Sequence, residues 1–341
     1  MIHDQEMSMR TRLLCSVLIL WLAGCAPRVV PATPLVTTAP TLTPPASPTA
    51  TATRALPSTA TLTPPPTITA ATPTATPDTT FTMTPEPQRM ETGTMLTITV
   101  LYDNVAHDAR LQTDWGFACL VEGLEQPLLF DTGGKGDILL RNMRTLGLDP
   151  QAVRTVVLSH AHGDHTGGLA AFLAENPAVT VYLPQSFPAG IKDTVRQAGA
   201  TPVEVSGPQE IIVGAHATGE LGGQIREQAL ALETPRGLVV ITGCAHPGIV
   251  EMVRQAQAEV GGNVYMALGG FHLRDANAGQ INTVMADLQA LGVRRTLGVR
   301  RIAPSHCTGD AARRAFAGAF GADYLESGVG QVFVISLAER D

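Results

Sequence analysis

Ser159-His160-Ala161-His162-Gly163-Asp164-His165-Thr166-Gly167-Gly168 is the stretch on which the reading of this chain turns. It places three imidazoles and a carboxylate within six residues, directly after the apolar run Val156-Val157-Leu158. Packing alone does not explain so many metal-capable side chains at a strand end. His160 and His162, two apart, point the same way if the backbone stays extended, so that one ion can take both. Asp164 and His165 follow where Thr166 to Glu175 reads as an entering helix, and the turn can aim them at a second ion beside the first.

The sequence holds only 9 histidines, and three more sit in short polar loops after apolar runs. His246 ends Leu238-Val239-Val240-Ile241-Thr242-Gly243-Cys244-Ala245-His246, His272 ends Met266-Ala267-Leu268-Gly269-Gly270-Phe271-His272, and His306 ends Arg301-Ile302-Ala303-Pro304-Ser305-His306. Each follows one plan of strand, small residues and ligand. Loops from several strand ends can converge on one edge of a sheet.

These strings resemble the metallo-β-lactamase superfamily, whose loop has the form His-x-His-x-Asp-His, and the resemblance covers most of residues 94–338. The stretches 116–122, 129–134, 243–248, 269–273 and 304–309 are similar to one branch, often labelled dihydropterin-methyl-ribofuranosylaminobenzene phosphate synthases. The resemblance implies an α/β fold, an αββα sandwich with the site at one edge. It implies one or two divalent metal ions, the first held by His160, His162 and His246, the second by Asp164, His165 and His306. Zinc is the default for such a donor set, while iron and manganese also suit His and carboxylate ligands. Asp131 matches the superfamily's buried carboxylate beside the site. One departure stands out: many relatives bridge the two ions with a carboxylate, but here Gly269-Gly270-Phe271-His272 follows the strand, with no Asp or Glu until Asp275. Either His272 takes that place as a ligand, or it is a loop histidine bonded to backbone.

The first quarter of the chain reads differently. Arg10 and Arg12 precede an apolar run, 13–23, that is short for a bilayer span but suits an export signal. It ends in Leu22-Ala23-Gly24-Cys25, which resembles a bacterial lipobox with Cys25 as the acylated residue. Residues 1–25 are therefore expected to be a lipoprotein signal, with the protein extracytoplasmic and tethered to the membrane. Between Pro27 and Pro87 lie fifteen of the 25 prolines, and Arg28, Arg54 and Asp78 are the only charges from Ala26 up to Pro85. Residues 26–93 are thus expected to be a disordered Thr/Pro/Ala-rich stalk, with polyproline II favoured.

What remains, 94–338, suits one α/β domain. Strands are expected near 96–101, 117–121, 127–130, 155–158, 179–183, 228–232, 238–242, 263–268, 299–302 and 331–335. Helices are expected at 137–146, 166–175, 248–259, 278–291 and 309–320. A net charge of −7 argues against a nucleic-acid surface, and Arg294, Arg295, Arg300 and Arg301 form the one local cationic run. Cys119, inside an apolar strand, reads as packing. Cys244 and Cys307, next to His246 and His306, can approach the metals, pair with each other, or simply pack.

The expected chemistry is hydrolysis of a small-molecule ester, lactone or phosphoester, with Asp164 and His165 as catalytic positions. The branch implies an alternative, a transferase acting on a pterin diphosphate. A non-catalytic metal- or ligand-binding surface protein is a third reading. Loops from Tyr102 to Trp115 and from His216 to Glu220 are candidates to shape the pocket.

Overall fold

The computed structural model describes residues 95–291 and 299–338. The expected leader, Cys25 and the stalk lie outside these residues, as do Arg294 and Arg295.

Among the described residues thirteen strands run in chain order: β1 (Met95–Tyr102), β2 (Ala118–Glu122), β3 (Leu128–Phe130), β4 (Thr155–Val157), β5 (Thr180–Pro184), β6 (Thr201–Val205), β7 (Gln209–Ile212), β8 (Ala215–Ala217), β9 (Leu230–Leu232), β10 (Leu238–Thr242), β11 (Val264–Gly270), β12 (Arg301–Ser305) and β13 (Val332–Ser336). One sheet has the order β13-β1-β2-β3-β4-β5-β6 and the other β12-β11-β10-β9-β8-β7. Seven α-helices accompany them among the described residues: α1 (Gly136–Thr145), α2 (Gly163–Thr166), α3 (Leu169–Glu175), α4 (Ala189–Gln197), α5 (Ile249–Val260), α6 (Ala278–Ala290) and α7 (Asp310–Phe320).

The layers follow from side-chain alternation along the strands. Leu128 and Phe130 of β3, with Val239 and Ile241 of β10, enter a core between the two sheets. Their neighbours face outward: Leu129 packs with Leu139 and Met143 of α1 and Phe172 of α3, while Leu238 and Val240 pack with Met252 and Val253 of α5 and Phe316 of α7. Two sheets back to back, each covered by helices, make the expected αββα arrangement.

Two expectations need correction. The single helix expected over 166–175 is split into α2 and α3 at Gly167-Gly168, because the chain there runs against the loop after β3. A Cβ on Gly167 would lie 2.2 Å from the Gly134 carbonyl oxygen, and one on Gly168 2.1 Å from that of Thr132. Helix α4 and strands β6 and β8 were not anticipated, and β8 takes in His216 and Ala217, which were expected in a loop; only Val195 of α4 is buried, so its apolar stripe is too thin to read.

Strand direction positions the site. β3, β4, β5 and β6 are parallel, as are β10, β11 and β12. Carboxyl ends of parallel strands share an edge, and from that edge depart the loops carrying Asp131, His160 to His165, His246, His272 and His306.

Candidate metal centre

The loop after β4 stays extended as far as His162, which caps α2 with φ −70° and ψ 147°. His160 Nε2 and His162 Nδ1 consequently face each other at 3.1 Å. The His246 ring, from the loop after β10, completes the group, with its centroid 4.6 Å from that of His160 and 4.8 Å from that of His162. On the far side of His160, its ring 4.2 Å away, stands His165. The Asp164 carboxylate approaches His165 Nε2 at 3.5 Å and His306 Nε2 at 3.2 Å. Both triads that the sequence nominates are therefore brought together, side by side.

Cys244 Sγ lies 3.2 Å from His165 Nε2, and the donor atoms of Asp164, His165, Cys244 and His306 all lie within 4.8 Å of one another. His272 joins neither triad: its ring lies tilted by 46° against that of His246, 4.4 Å away, and its donors group with Cys244 and Cys307. Cys244 and Cys307 are free thiols, and Cys119 is buried in β2.

Each inward-facing imidazole is fixed from behind. Asp131, fully buried, accepts from the Ser159 amide and hydroxyl, both at 2.7 Å, and pairs with His165 Nδ1 at 2.7 Å. Ser159 Oγ in turn contacts His160 Nδ1 at 2.9 Å. Asn104 Oδ1 meets His306 Nδ1 at 3.1 Å. Such partners fix the tautomer and leave the opposite nitrogen free as a donor to an ion. Gly243 makes room for the Asp131–Ser159 pair, since a Cβ there would lie 2.1 Å from Ser159 Oγ.

Glu227 is the residue that sequence reasoning missed. Completely buried, it accepts the backbone N–H groups of Cys244 and Ala245 at 2.8 Å and of His246 at 2.9 Å, and also pairs with His246 Nδ1 at 2.8 Å. It precedes β9, which runs antiparallel to β10, so its end of the strand lies beside the loop it holds. A carboxylate three residues before an apolar strand carries no spacing signal.

The electrostatics fit cation binding. Burial, aided by repulsion between the two rings, lowers His160 to about 3, and burial with repulsion from His306 does the same to His165. Both are thus neutral, with lone pairs available. Burial raises Asp131 to about 7. In Glu227 burial is outweighed by the bonds from the His246 side chain and from the backbone of its loop, which hold the carboxyl at about 2. Burial likewise opposes, without overcoming, the pull of His306 and His165 that holds Asp164 well below the usual carboxylate range. Backbone strain collects here too. Asp131, Ala245, His272 and His306, with φ between 49° and 60°, are the non-glycine residues with positive φ among those described, a conformation costing about 1–3 kcal/mol each.

A family model described as the metallo-beta-lactamase superfamily matches residues 116–306, more than half of the chain. The chain belongs to the metallo-β-lactamase superfamily. Within it, the chain is 28% identical over 283 residues to 7,8-dihydropterin-6-methyl-4-(beta-D-ribofuranosyl)-aminobenzene-5'-phosphate synthase of Methanocaldococcus jannaschii, covering 69% of this chain and 94% of the relative. The structure of Tm1679, a metal-dependent hydrolase of the beta-lactamase superfamily, superposes with a TM-score of 0.58 at 27% identity, covering 71% of this chain and 99% of that one. The metallo-beta-lactamase fold protein YhfI from Bacillus subtilis gives 0.52 at 12% identity over 70% of this chain and 99% of its own, a likeness of fold.

Proposed function

We propose that the protein is a metal-dependent hydrolase acting on a small-molecule ester, lactone or phosphoester. One observation carries the reading: two donor groups, His160 with His162 and His246, and Asp164 with His165 and His306, adjoin at one sheet edge with their free nitrogens turned towards each other. The residues fit resident cations. His306 Nε2 is buried without a hydrogen-bond partner. The facing nitrogens of His160 and His162 at 3.1 Å also call for a proton or a cation between their lone pairs. Divalent ions held there supply Lewis acidity and lower the pKa of water from 15.7 to about 7.

The chain's own residues do the rest. Asp131, Ser159, Glu227 and Asn104 keep the imidazoles aimed, so that little reorganisation is needed during the reaction. Asp164, ionised at neutral pH and half-buried, orients the attacking water and accepts its proton. Beside the donors opens a cavity of about 900 Å3 lined by Trp115, His272, Arg274, Gln280 and Cys307. The Arg274 guanidinium lies 5.0 Å from the Trp115 ring centre and forms no ion pair among the described residues. A flat ring and an unneutralised cation at the mouth suit a small organic anion. Zinc is our first choice of metal, and we retain the proposal that Cys25 tethers the domain to the outer face of a membrane.

A second reading has a specific support. The synthase relative is matched across 94% of its length, which favours transfer from a pterin diphosphate to an aminobenzene riboside, with the same residues steadying the departing diphosphate. Elemental analysis of purified protein, beside turnover of generic phosphodiesters, lactones and esters, tests the first reading. Diphosphate release that requires the aminobenzene acceptor would establish the second. A His162→Ala protein retaining full metal and full activity would refute the site behind both. Metal-loaded protein inert to every substrate yet tight for one ligand would mark a binding protein.

A further inference from the structure

The loop after β11 carries no carboxylate where many relatives bridge the two ions, and His272, the residue at that place, groups instead with Cys307 and Cys244. A thiol from the neighbouring strand end stands in the vacancy of chemistry that this leaves. The geometry points to Cys244 as the fourth donor of the centre formed by Asp164, His165 and His306, a thiolate ligand for a thiophilic divalent cation such as zinc. This assignment rests on the reading of the site as a metal centre.

Separations among the donors support it. A tetrahedral site with metal–nitrogen and metal–oxygen distances near 2.1 Å and metal–sulfur near 2.3 Å separates its ligand atoms by roughly 3.3–3.6 Å. Cys244 Sγ to His165 Nε2 and His306 Nε2 to Asp164 Oδ2 are each 3.2 Å, slightly inside this spacing, His165 Nε2 to Asp164 Oδ2 is 3.5 Å, and all four donor atoms lie within 4.8 Å of one another. His306 Nε2 is wholly buried and makes no well-aligned hydrogen bond, its neighbour here being Asp164 Oδ2 at 3.2 Å; it points into this group, where a cation would take its lone pair.

Charge argues the same way. One carboxylate and two neutral imidazoles leave a divalent ion with an uncompensated positive charge in a buried setting, which is costly. A thiolate cancels it. On coordination the S–H bond is replaced by a sulfur–metal bond and the proton leaves to solvent. Cys244 is also held for the task, because its amide donates to Glu227 Oε1 at 2.8 Å. Cys307, by contrast, belongs only to the group with Cys244 and His272, and its Sγ lies 3.5 Å from the Cys244 carbonyl oxygen. It is the natural control.

The full-length protein, stripped of metal and titrated with cobalt(II), provides the test. A thiolate-to-cobalt charge-transfer band in the near ultraviolet is expected for the wild type and for Cys307→Ser, and is expected to vanish in Cys244→Ser. Cys244→Asp, which restores an anionic donor, should lose the band yet keep a second equivalent of metal by elemental analysis; Cys244→Ser should bind that equivalent at least tenfold more weakly. Cobalt uptake with no band, or a band that survives in Cys244→Ser, overturns the assignment while leaving the metal centre intact. A protein that takes up no cobalt at all overturns the metal-centre reading and this one with it.

Discussion

The two donor groups share an edge of the fold but not an environment. His162 is exposed and His246 only partly covered, so the group they form with His160 opens to solvent; His165, His306 and Cys244 are buried, and only Asp164 reaches the surface from the second group. Their supports differ as well. The open group leans on Glu227, which gathers a whole loop, and the closed group on Asp131, which reaches His165 directly and His160 through Ser159. Chemistry needs a coordination position that water can reach, and Asp164, the partly exposed member of the second group, faces that side. The open side is therefore where substrate and water should meet.

The contrast is tested most severely at Glu227. Glu227→Ala leaves three backbone N–H groups and an imidazole without their acceptor in a dry interior. We expect a loss of about 3–5 kcal/mol in denaturant unfolding of the metal-free protein, the range for breaking a buried charge pair. A loss below about 1 kcal/mol would show that the loop after β10 stands without it.

The same carboxylate sets a pH dependence. Its folded pKa is depressed from 4.5 to about 2, so its contribution is complete above about 4.5 and disappears as pH falls towards 2. The stability gap between the wild type and Glu227→Gln should accordingly narrow across that window, by about 3 kcal/mol at most. A gap constant from pH 5 to pH 2 would mean that the carboxyl titrates alike in folded and unfolded chains.

His162→Ala probes the open side and should separate function from stability. Exposed, and touching the interior only through its Nδ1, 3.1 Å from His160 Nε2, the side chain should change the unfolding free energy of the metal-free protein by about 1 kcal/mol at most. Turnover should fall by about a hundredfold or more, since loss of a ligand exceeds the usual tenfold to hundredfold effect of its supports. Similar losses in both quantities would erase the distinction between the two sides.

Much of this arrangement was legible because it is written in short spacings. The His-x-His-x-Asp-His loop after an apolar run, and histidines in the loops after three further strands, marked the donors, while their division into two triads came from the resemblance. Asp131 was reached only through the resemblance. Glu227 escaped because its role depends on β9 running antiparallel to β10, a pairing made by tertiary structure. Asn104 was noticed as part of a pocket loop but not as the partner of His306, which lies 202 residues away in sequence. The split between α2 and α3 was hidden for a related reason: Gly167-Gly168 reads as a helix start until the loop after β3 is seen pressed against it. Local pattern announced the ligands, and strand order chose what holds them.

Asp131→Asn is the mildest change that still discriminates between the two groups. Oδ1 accepts the Ser159 amide, and Oδ2 accepts both the Ser159 hydroxyl and His165 Nδ1. An asparagine must place its NH2 at one of these positions. Facing the Ser159 amide, it sets donor against donor with no rotation to relieve it. Facing His165, it drives the imidazole to the other tautomer, whose Nε2–H then points into the closed group and removes a ligand. Ser159 can rotate its hydroxyl, so His160 is disturbed less. Metal titration should show affinity at the closed group falling by about tenfold to a hundredfold, with the open group affected to a smaller degree. Equal losses at both would mean that Ser159 couples His160 to Asp131 as tightly as the direct bond couples His165, and the two centres would then have to be treated as one.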